Sequence, residues 1–192
     1  MERVISKKDE IKDVQPMRSL EKIEDMKWSL QKWCGQRDYI MFLIGINTGL
    51  RVSDLLKLKV KHVKGKKKIT VREGKTQKPR VIHLTNIYDE IQSFAECQIK
   101  TSEWLFSSRK GNMPISRIQA YRQLNKAAEM VDINDGVGTH TMRKTFGYWH
   151  YKQFKDVAEL QMILNHSHPE VTLKYIGITD EQIENNLNNF YL

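Results

Sequence analysis

From Tyr39 to Ile46 the chain reads YIMFLIGI and offers water no polar face. A helix that is apolar all round is one its neighbours bury. The run is far shorter than the roughly 18 residues that suggest a membrane span. It therefore predicts a buried helix over residues 37–48, stopped at Thr48-Gly49, inside a folded domain. The surrounding composition can supply the rest of a core. Hydrophobic residues are 40% of the 192, charged residues 29%, and four Trp, six Phe and seven Tyr provide bulk. That is not a disordered profile, and the length suits one domain, alone or with a short appendage.

Before this run, Ser19 opens a capping-box-like start, and Ile23, Met26, Leu30 and Trp33 keep helical spacing until Gly35. A short helix is expected from about Ser53, carrying Leu55, Leu56 and Leu58. The texture then changes. Val60, His62 and Val63 lead to a turn at Gly65. Residues 69–72 and 80–84 read as strands on either side of a Gly74–Pro79 loop. They predict a small antiparallel sheet with Lys75 at or beside a hairpin tip. Helices are expected again at about 87–99, 115–131, 140–153, 156–164, 169–176 and 179–190, with Ser116 and Asp180 in cap regions. The fold class is mainly α with a small antiparallel β-sheet (α+β). Residues 1–18 read as an N-terminal arm or linker remnant, and 19–192 as the domain.

The net charge of +9 favours a polyanionic partner, nucleic acid first and anionic membrane second. Cys34 and Cys97 have no ligand-like spacing and are expected as reduced core thiols. The first residues, MERVISKKDEIKD, hold no apolar leader core, so a cytoplasmic, nucleoid-associated protein is expected, with no membrane partner. The last residues differ in character: from Gly177 onward there are Asp180, Glu181 and Glu184 but no Lys or Arg. A terminal helix over 178–192 is expected to dock on protein rather than DNA.

Four segments could carry chemistry. In Thr48-Gly49-Leu50-Arg51-Val52-Ser53-Asp54, Gly49 permits a tight turn and Arg51 sits at a helix start, where it can reach phosphate beside free backbone N–H groups. Asp54, three residues on, could orient Arg51; a surface Arg–Asp pair is the plainer alternative. In Glu73-Gly74-Lys75-Thr76, Lys75 could swing into a cleft as a proton donor or simply be a solvated turn residue. A P-loop fails, because Ile69 stands where its first glycine is needed. In His140-Thr141-Met142-Arg143, the i,i+3 spacing puts a titratable donor and a bidentate cation on one helix face. In Leu164-Asn165-His166-Ser167-His168-Pro169-Glu170-Val171-Thr172-Leu173-Lys174-Tyr175, His166 precedes a turn at Pro169 and Tyr175 follows on a helix. Without nearby Cys, Asp or further His, the two histidines do not suggest a metal site. Tyr175 could equally be a core tyrosine. Arg117, Arg122 and Lys126 could present a basic helix face to DNA, or be a solvated face over Ile118, Leu124 and Ala128.

The joint order is more informative than any segment. Arg51, hairpin Lys75, His140-x-x-Arg143, His166 and Tyr175 nine residues later resemble the active-site series of the tyrosine recombinase, or phage integrase, family. HTMR resembles its His-x-x-Arg motif, and LNHSHPEVTLKY its Leu-Gly-His…Thr-x-x-Tyr motif. The resemblance covers about residues 19–190. Asn165 stands where glycine is usual, and Asp54 where glutamate is common. Full-length members usually carry an N-terminal DNA-clamping helical domain, for which residues 1–18 are too short. Either the chain is a short member or that domain lies elsewhere.

The resemblance implies the tyrosine recombinase catalytic-domain fold and a metal- and ATP-independent DNA strand transferase. It would cleave and rejoin double-stranded DNA through a 3′-phosphotyrosine intermediate, with no cofactor. Tyr175 would be the nucleophile and His140 its base. Arg51 and Arg143 would clamp the phosphate, His166 would add a hydrogen bond, and Lys75 would protonate the leaving 5′-oxygen. The terminal helix would serve self-association on DNA, from dimer to tetrameric synapse. The alternatives are a recombinase-like DNA-binding module that cleaves weakly or not at all, a type IB topoisomerase-like enzyme, and an unrelated RNA-binding protein, which no aromatic RNA-binding strand motif supports.

Overall fold

The computed structural model describes residues 14–134, 136–177, 184 and 187–191. Most of the expected terminal helix, including its Asp180 cap, and residues 1–13 of the arm lie outside the described residues.

The first helix, α1 (Leu20–Ser29), starts where Ser19 Oγ accepts the Lys22 N–H, and Ile23 and Met26 are buried. It widens into a π-turn over Leu30–Cys34, which Gly35 closes at φ +101°. Helix α2 (Gln36–Thr48) is the apolar run, with Ile40, Met41, Phe42, Leu43 and Ile44 all buried. Gly49 ends it in the left-handed region at φ +61°, where an L side chain is strained. Two one-turn helices follow, α3 (Val52–Leu55) and α4 (Val60–Val63). Sequence spacing predicted the first and read the second only as an approach to a turn.

Strands β1 (Lys68–Arg72) and β2 (Pro79–His83) form an antiparallel hairpin with Ile69 opposite Ile82 and Val71 opposite Arg80. Helix α5 (Tyr88–Gln98) buries Ile91, Phe94 and Ala95. That stripe leaves Cys97 exposed and Cys34 is half-buried, so the expectation of two core thiols is corrected. Helix α6 (Arg117–Glu129) starts on a reciprocal Ser116–Gln119 capping box. It is followed by α7 (Thr141–Phe154), α8 (Val157–Ile163) and α9 (Pro169–Ile176).

The core surrounds α2, and a smaller cluster of Leu160, Leu164 and Ile176 joins α8 to α9. Two glycines bring α2 close to α7. A Cβ on Gly45 would lie 2.5 Å from Met142 Sδ, and one on Gly49 2.5 Å from Phe146 Cδ1. This close approach sets the C-terminal turn of α2 against the first turn of α7. Residues just before α1 also engage α7: Met17 N–H donates to Thr145 Oγ1 at 2.9 Å, and Trp149 Nε1–H donates to the Met17 carbonyl at 2.8 Å. Among the described residues, no helix is long and apolar enough to cross a membrane.

Candidate active site

Arg51 is the residue before α3, held extended at φ −66°, ψ 141°, and its side chain is only 13% exposed. Arg143, in the first turn of α7, is 1% exposed. Its Nη1 donates to the Gly49 carbonyl at 2.7 Å and its Nη2 to the Leu164 carbonyl at 2.5 Å. These bonds tie α7 to the end of α2 and to the end of α8. The Arg143 Nε is buried without a hydrogen-bond partner.

His166 follows α8 and is half-buried. Its Nε2 lies 3.4 Å from Arg143 Nη2 and its Nδ1 3.0 Å from Oγ1 of the fully buried Thr172. With the proton on Nδ1, Nε2 accepts from Arg143. With the Thr172 hydroxyl donating to Nδ1, Nε2–H is free to donate to an anion. Tyr175, on α9, is half-buried with its ring centroid 4.8 Å from that of His166. The Arg143 guanidinium lies 5.9 Å from the same ring. The ends of α2 and α3 therefore bring Arg51, α7 brings Arg143, and α8–α9 bring His166 and Tyr175 into one centre.

His140 is the N-cap residue of α7. It shares that helix end with Arg143 but not its depth, because His140 is exposed where Arg143 is sealed in. Lys75 is exposed on the turn between β1 and β2, at the expected hairpin tip. Asp54 departs from expectation. Its Oδ1 accepts the Gly74 N–H at 2.9 Å, so this carboxylate fastens the hairpin turn. The carboxylate paired with Arg51 belongs to Glu73, with Nη1–Oε2 at 2.8 Å. Arg117 and Arg122 are exposed on α6, while Lys126 Nζ donates to the Trp33 carbonyl at 3.1 Å.

Sequence reasoning missed two members of this site. Glu73 is fully buried and also lies 3.6 Å from both Arg80 and Arg143. Arg80 is 7% exposed and its guanidinium donates to the Thr48 and Gly49 carbonyls. A signal for Arg80 was present: on β2 it has the same parity as Ile82, so the face that buries one buries the other.

Three guanidinium groups against one carboxylate make the centre cationic, and the titrations follow. Burial lowers the Arg80 pKa to about 10, with the Arg143 charge adding to it and Glu73 opposing. Burial and Arg51 lower that of Arg143. Burial, then Arg143 and Arg51, bring His166 down to about 4. His140 is lowered by desolvation and then by Arg117, Arg143, Lys144 and Arg51. Burial would raise Glu73, but hydrogen bonds from Asn165 and Arg51, the Arg51 charge and Thr76 outweigh it and leave its pKa low. Both histidines are neutral near pH 7. Such a centre suits a compact anion with several oxygens.

Residues 21–182 match the model of the phage integrase family. The chain is 48% identical over 170 residues to the probable integrase/recombinase YoeC of Bacillus subtilis, covering 88% of this chain and 92% of that protein. It is 28% identical over 151 residues to the tyrosine recombinase XerA of Pyrococcus horikoshii, covering 77% of this chain and 52% of that protein. It spans about half the length of several other curated tyrosine recombinases as well. Among solved structures, a XerA recombinase superposes with a TM-score of 0.75 at 20% identity, over 92% of this chain and 65% of that one. A XerH site-specific recombinase bound to a palindromic difH substrate gives 0.71 at 19% identity, over 91% and 53%. These structural likenesses agree with the fold, and the sequence matches settle the family: the chain belongs to the phage integrase family and carries the catalytic domain of a tyrosine recombinase.

Proposed function

We propose that this domain cleaves and rejoins double-stranded DNA by transesterification at Tyr175. The observation that supports this most is the convergence of Arg51, Arg143 and His166 beside the phenol of Tyr175, around a centre with excess positive charge. Tyr175 Oη attacks the phosphorus, and its proton passes to the neutral His140. The bond from phosphorus to the 5′-oxygen breaks, and Lys75 supplies the proton to that oxygen. Arg51 and Arg143 hold the non-bridging oxygens and stabilise charge gained in the transition state. His166 adds a hydrogen bond through Nε2. The 3′-phosphotyrosine bond conserves the energy of the cleaved bond, and another 5′-hydroxyl reverses the step.

The long-range charge fits this substrate, because +9 favours phosphate contacts whose strength falls as salt rises. Arg117 and Arg122 project from exposed positions on α6, and Arg117 is among the charges acting on His140, so this helix face is assigned to the DNA flanking the scissile phosphate. Lys126 is assigned there with them, its Nζ also donating to the Trp33 carbonyl. Residues 178–192 are assigned to packing against a neighbouring copy on DNA.

Trapping on a nicked suicide duplex tests the central step. The unaltered protein should form a covalent adduct that maps to Tyr175. Tyr175→Phe should bind the duplex equally well and form none. An adduct on Tyr175→Phe, or intact binding with no adduct from either protein, would overturn the assignment; the second outcome leaves a DNA-binding module.

A further inference from the structure

The most heavily engaged carboxylate in the site is one for which the transesterification gives no role. Glu73 leaves β1 with its side chain fully buried. Its Oε2 accepts from Asn165 Nδ2 at 3.0 Å and Thr76 Oγ1 at 2.9 Å, and lies 2.8 Å from Arg51 Nη1. Its Oε1 lies 3.6 Å from both Arg80 Nη1 and Arg143 Nη1, beyond hydrogen-bond reach, and has no hydrogen-bond partner. A carboxylate is held so far from water only by strong compensation. Here the compensation comes from three arginines on three different parts of the chain.

We propose that Glu73 is a positioning residue for DNA cleavage: it binds the three guanidinium groups into one cluster and locks the Lys75 hairpin to it.

Charge is the first argument. Arg51, Arg80 and Arg143 together carry +3 beside a phosphodiester of −1 that gains charge on attack. Glu73 reduces the cluster to +2, so the guanidinium groups can stay together before DNA arrives. Without it, like charges in a poorly solvated space repel. Geometry is the second argument. Glu73 and Lys75 are two residues apart, so their backbones separate by at most about 7 Å. Fixing the Glu73 side chain fixes the base of the turn whose tip carries the proton donor. Arg80, on the opposite strand, pins the other side of the hairpin to the Thr48 and Gly49 carbonyls. Asp54 holds Gly74 between them. Asn165 completes the link, because it sits in the left-handed region at φ +50°, which asparagine tolerates, and reaches Glu73 across 92 residues of sequence.

The proposal rests on the cleavage reading, and the test separates the two. Single-turnover cleavage of the nicked duplex and duplex affinity are measured for Glu73→Gln and Glu73→Asp across alkaline pH. Glu73→Gln should cleave at least tenfold more slowly while its affinity changes less than threefold. Glu73→Asp, which keeps the charge, should recover part of the rate. The alkaline limb of the profile should fall at lower pH in Glu73→Gln. Arg80 contributes to that limb beside the proton donor Lys75, and Glu73 holds Arg80 charged against Arg51, Arg143 and the burial around them. Glu73→Gln cleaving within twofold of the unaltered protein with the same alkaline limb would overturn the proposal. So would Glu73→Asp falling as far as Glu73→Gln while both melt cooperatively. If the unaltered protein forms no adduct, the cleavage reading fails by itself. The alkaline limb of thermal stability then decides for Glu73, with a downward shift in Glu73→Gln expected and an unchanged limb overturning it. If Glu73→Gln does not fold, Asn165→Gly with Thr76→Val removes two of the carboxylate's hydrogen bonds instead. That variant should slow cleavage at least threefold, and an unchanged rate would overturn the proposal.

Discussion

Replacing Gly49 with alanine tests whether the turn between α2 and α3 builds the arginine centre. Two separable effects contribute. The left-handed backbone at φ +61° costs a residue with a Cβ about 1–2 kcal/mol. The new methyl would also meet Phe146 Cδ1 at 2.5 Å, and forcing a methyl into packed surroundings costs about 1–3 kcal/mol. The sum is about 2–5 kcal/mol. For a domain of this size each kcal/mol moves the melting temperature by about 2–4 °C, so a drop of about 4–20 °C is expected. Gly65→Ala is the control. Gly65 has φ +69° but nothing within 4 Å of its would-be Cβ, so only the backbone part, about 1–2 kcal/mol, should appear. The same alanine should harm chemistry more than stability, because the Gly49 carbonyl accepts from both Arg80 and Arg143. Thermal melting followed by circular dichroism, with adduct formation measured well below the transition, reads both. If Gly49→Ala melts within about 2 °C of Gly65→Ala, the packing argument is wrong. If it forms adduct at the normal rate, the turn does not position the arginines.

Two further outcomes follow from the site. His166 is lowered from 6.5 to about 4 by burial and then Arg143 and Arg51, so its neutral form is the one the fold prefers. The stability this confers is fully present above about pH 6.5 and is lost as pH falls toward 4. The unaltered protein should therefore lose more melting temperature over that interval than His166→Gln, and parallel losses would refute the assignment. Lys75→Ala should slow cleavage by about 10²–10⁴-fold, the usual range for a general acid, and a duplex with a 5′-bridging thiolate should restore most of it; absence of rescue would remove Lys75 from that role.

The parts of the fold that rest on local chemistry were legible from residues alone. The apolar run predicted α2, the Ser116 cap appears where α6 begins, and the two short β-runs flank Lys75 as a hairpin. What escaped depends on contacts between distant segments. Glu73 beside Gly74 and Lys75 looks like an ordinary solvated turn, and nothing within several residues says it will be buried. Its burial follows from Arg51, Arg80 and Arg143 arriving from 22 residues before, 7 after and 70 after it. Cys97 escaped for a simpler reason, since a thiol is read as apolar although the stripe of Ile91, Phe94 and Ala95 had already used the inward face of α5.

Asp54 shows how such a miss arises. The i,i+3 rule says only that two side chains on a helix can meet, and α3 is a single turn that Arg51 precedes in extended geometry at ψ 141°. Arg51 is thereby free to point toward the hairpin, where Glu73 offers a buried carboxylate with two neutral donors already in place. A buried pair of this kind is screened far less by solvent than an exposed one. Asp54 then satisfies the Gly74 N–H, which the turn would otherwise leave without that acceptor. The two carboxylates have therefore divided the work: one compensates cationic charge at the centre, and the other shapes the loop that carries Lys75. Exchanging either for its amide should separate the roles. Loss of charge at Glu73 should disturb the pH profile, whereas Asp54→Asn, which can still accept from Gly74, should leave the profile nearly unchanged. An altered profile in Asp54→Asn would return Asp54 to the role of charge partner for Arg51.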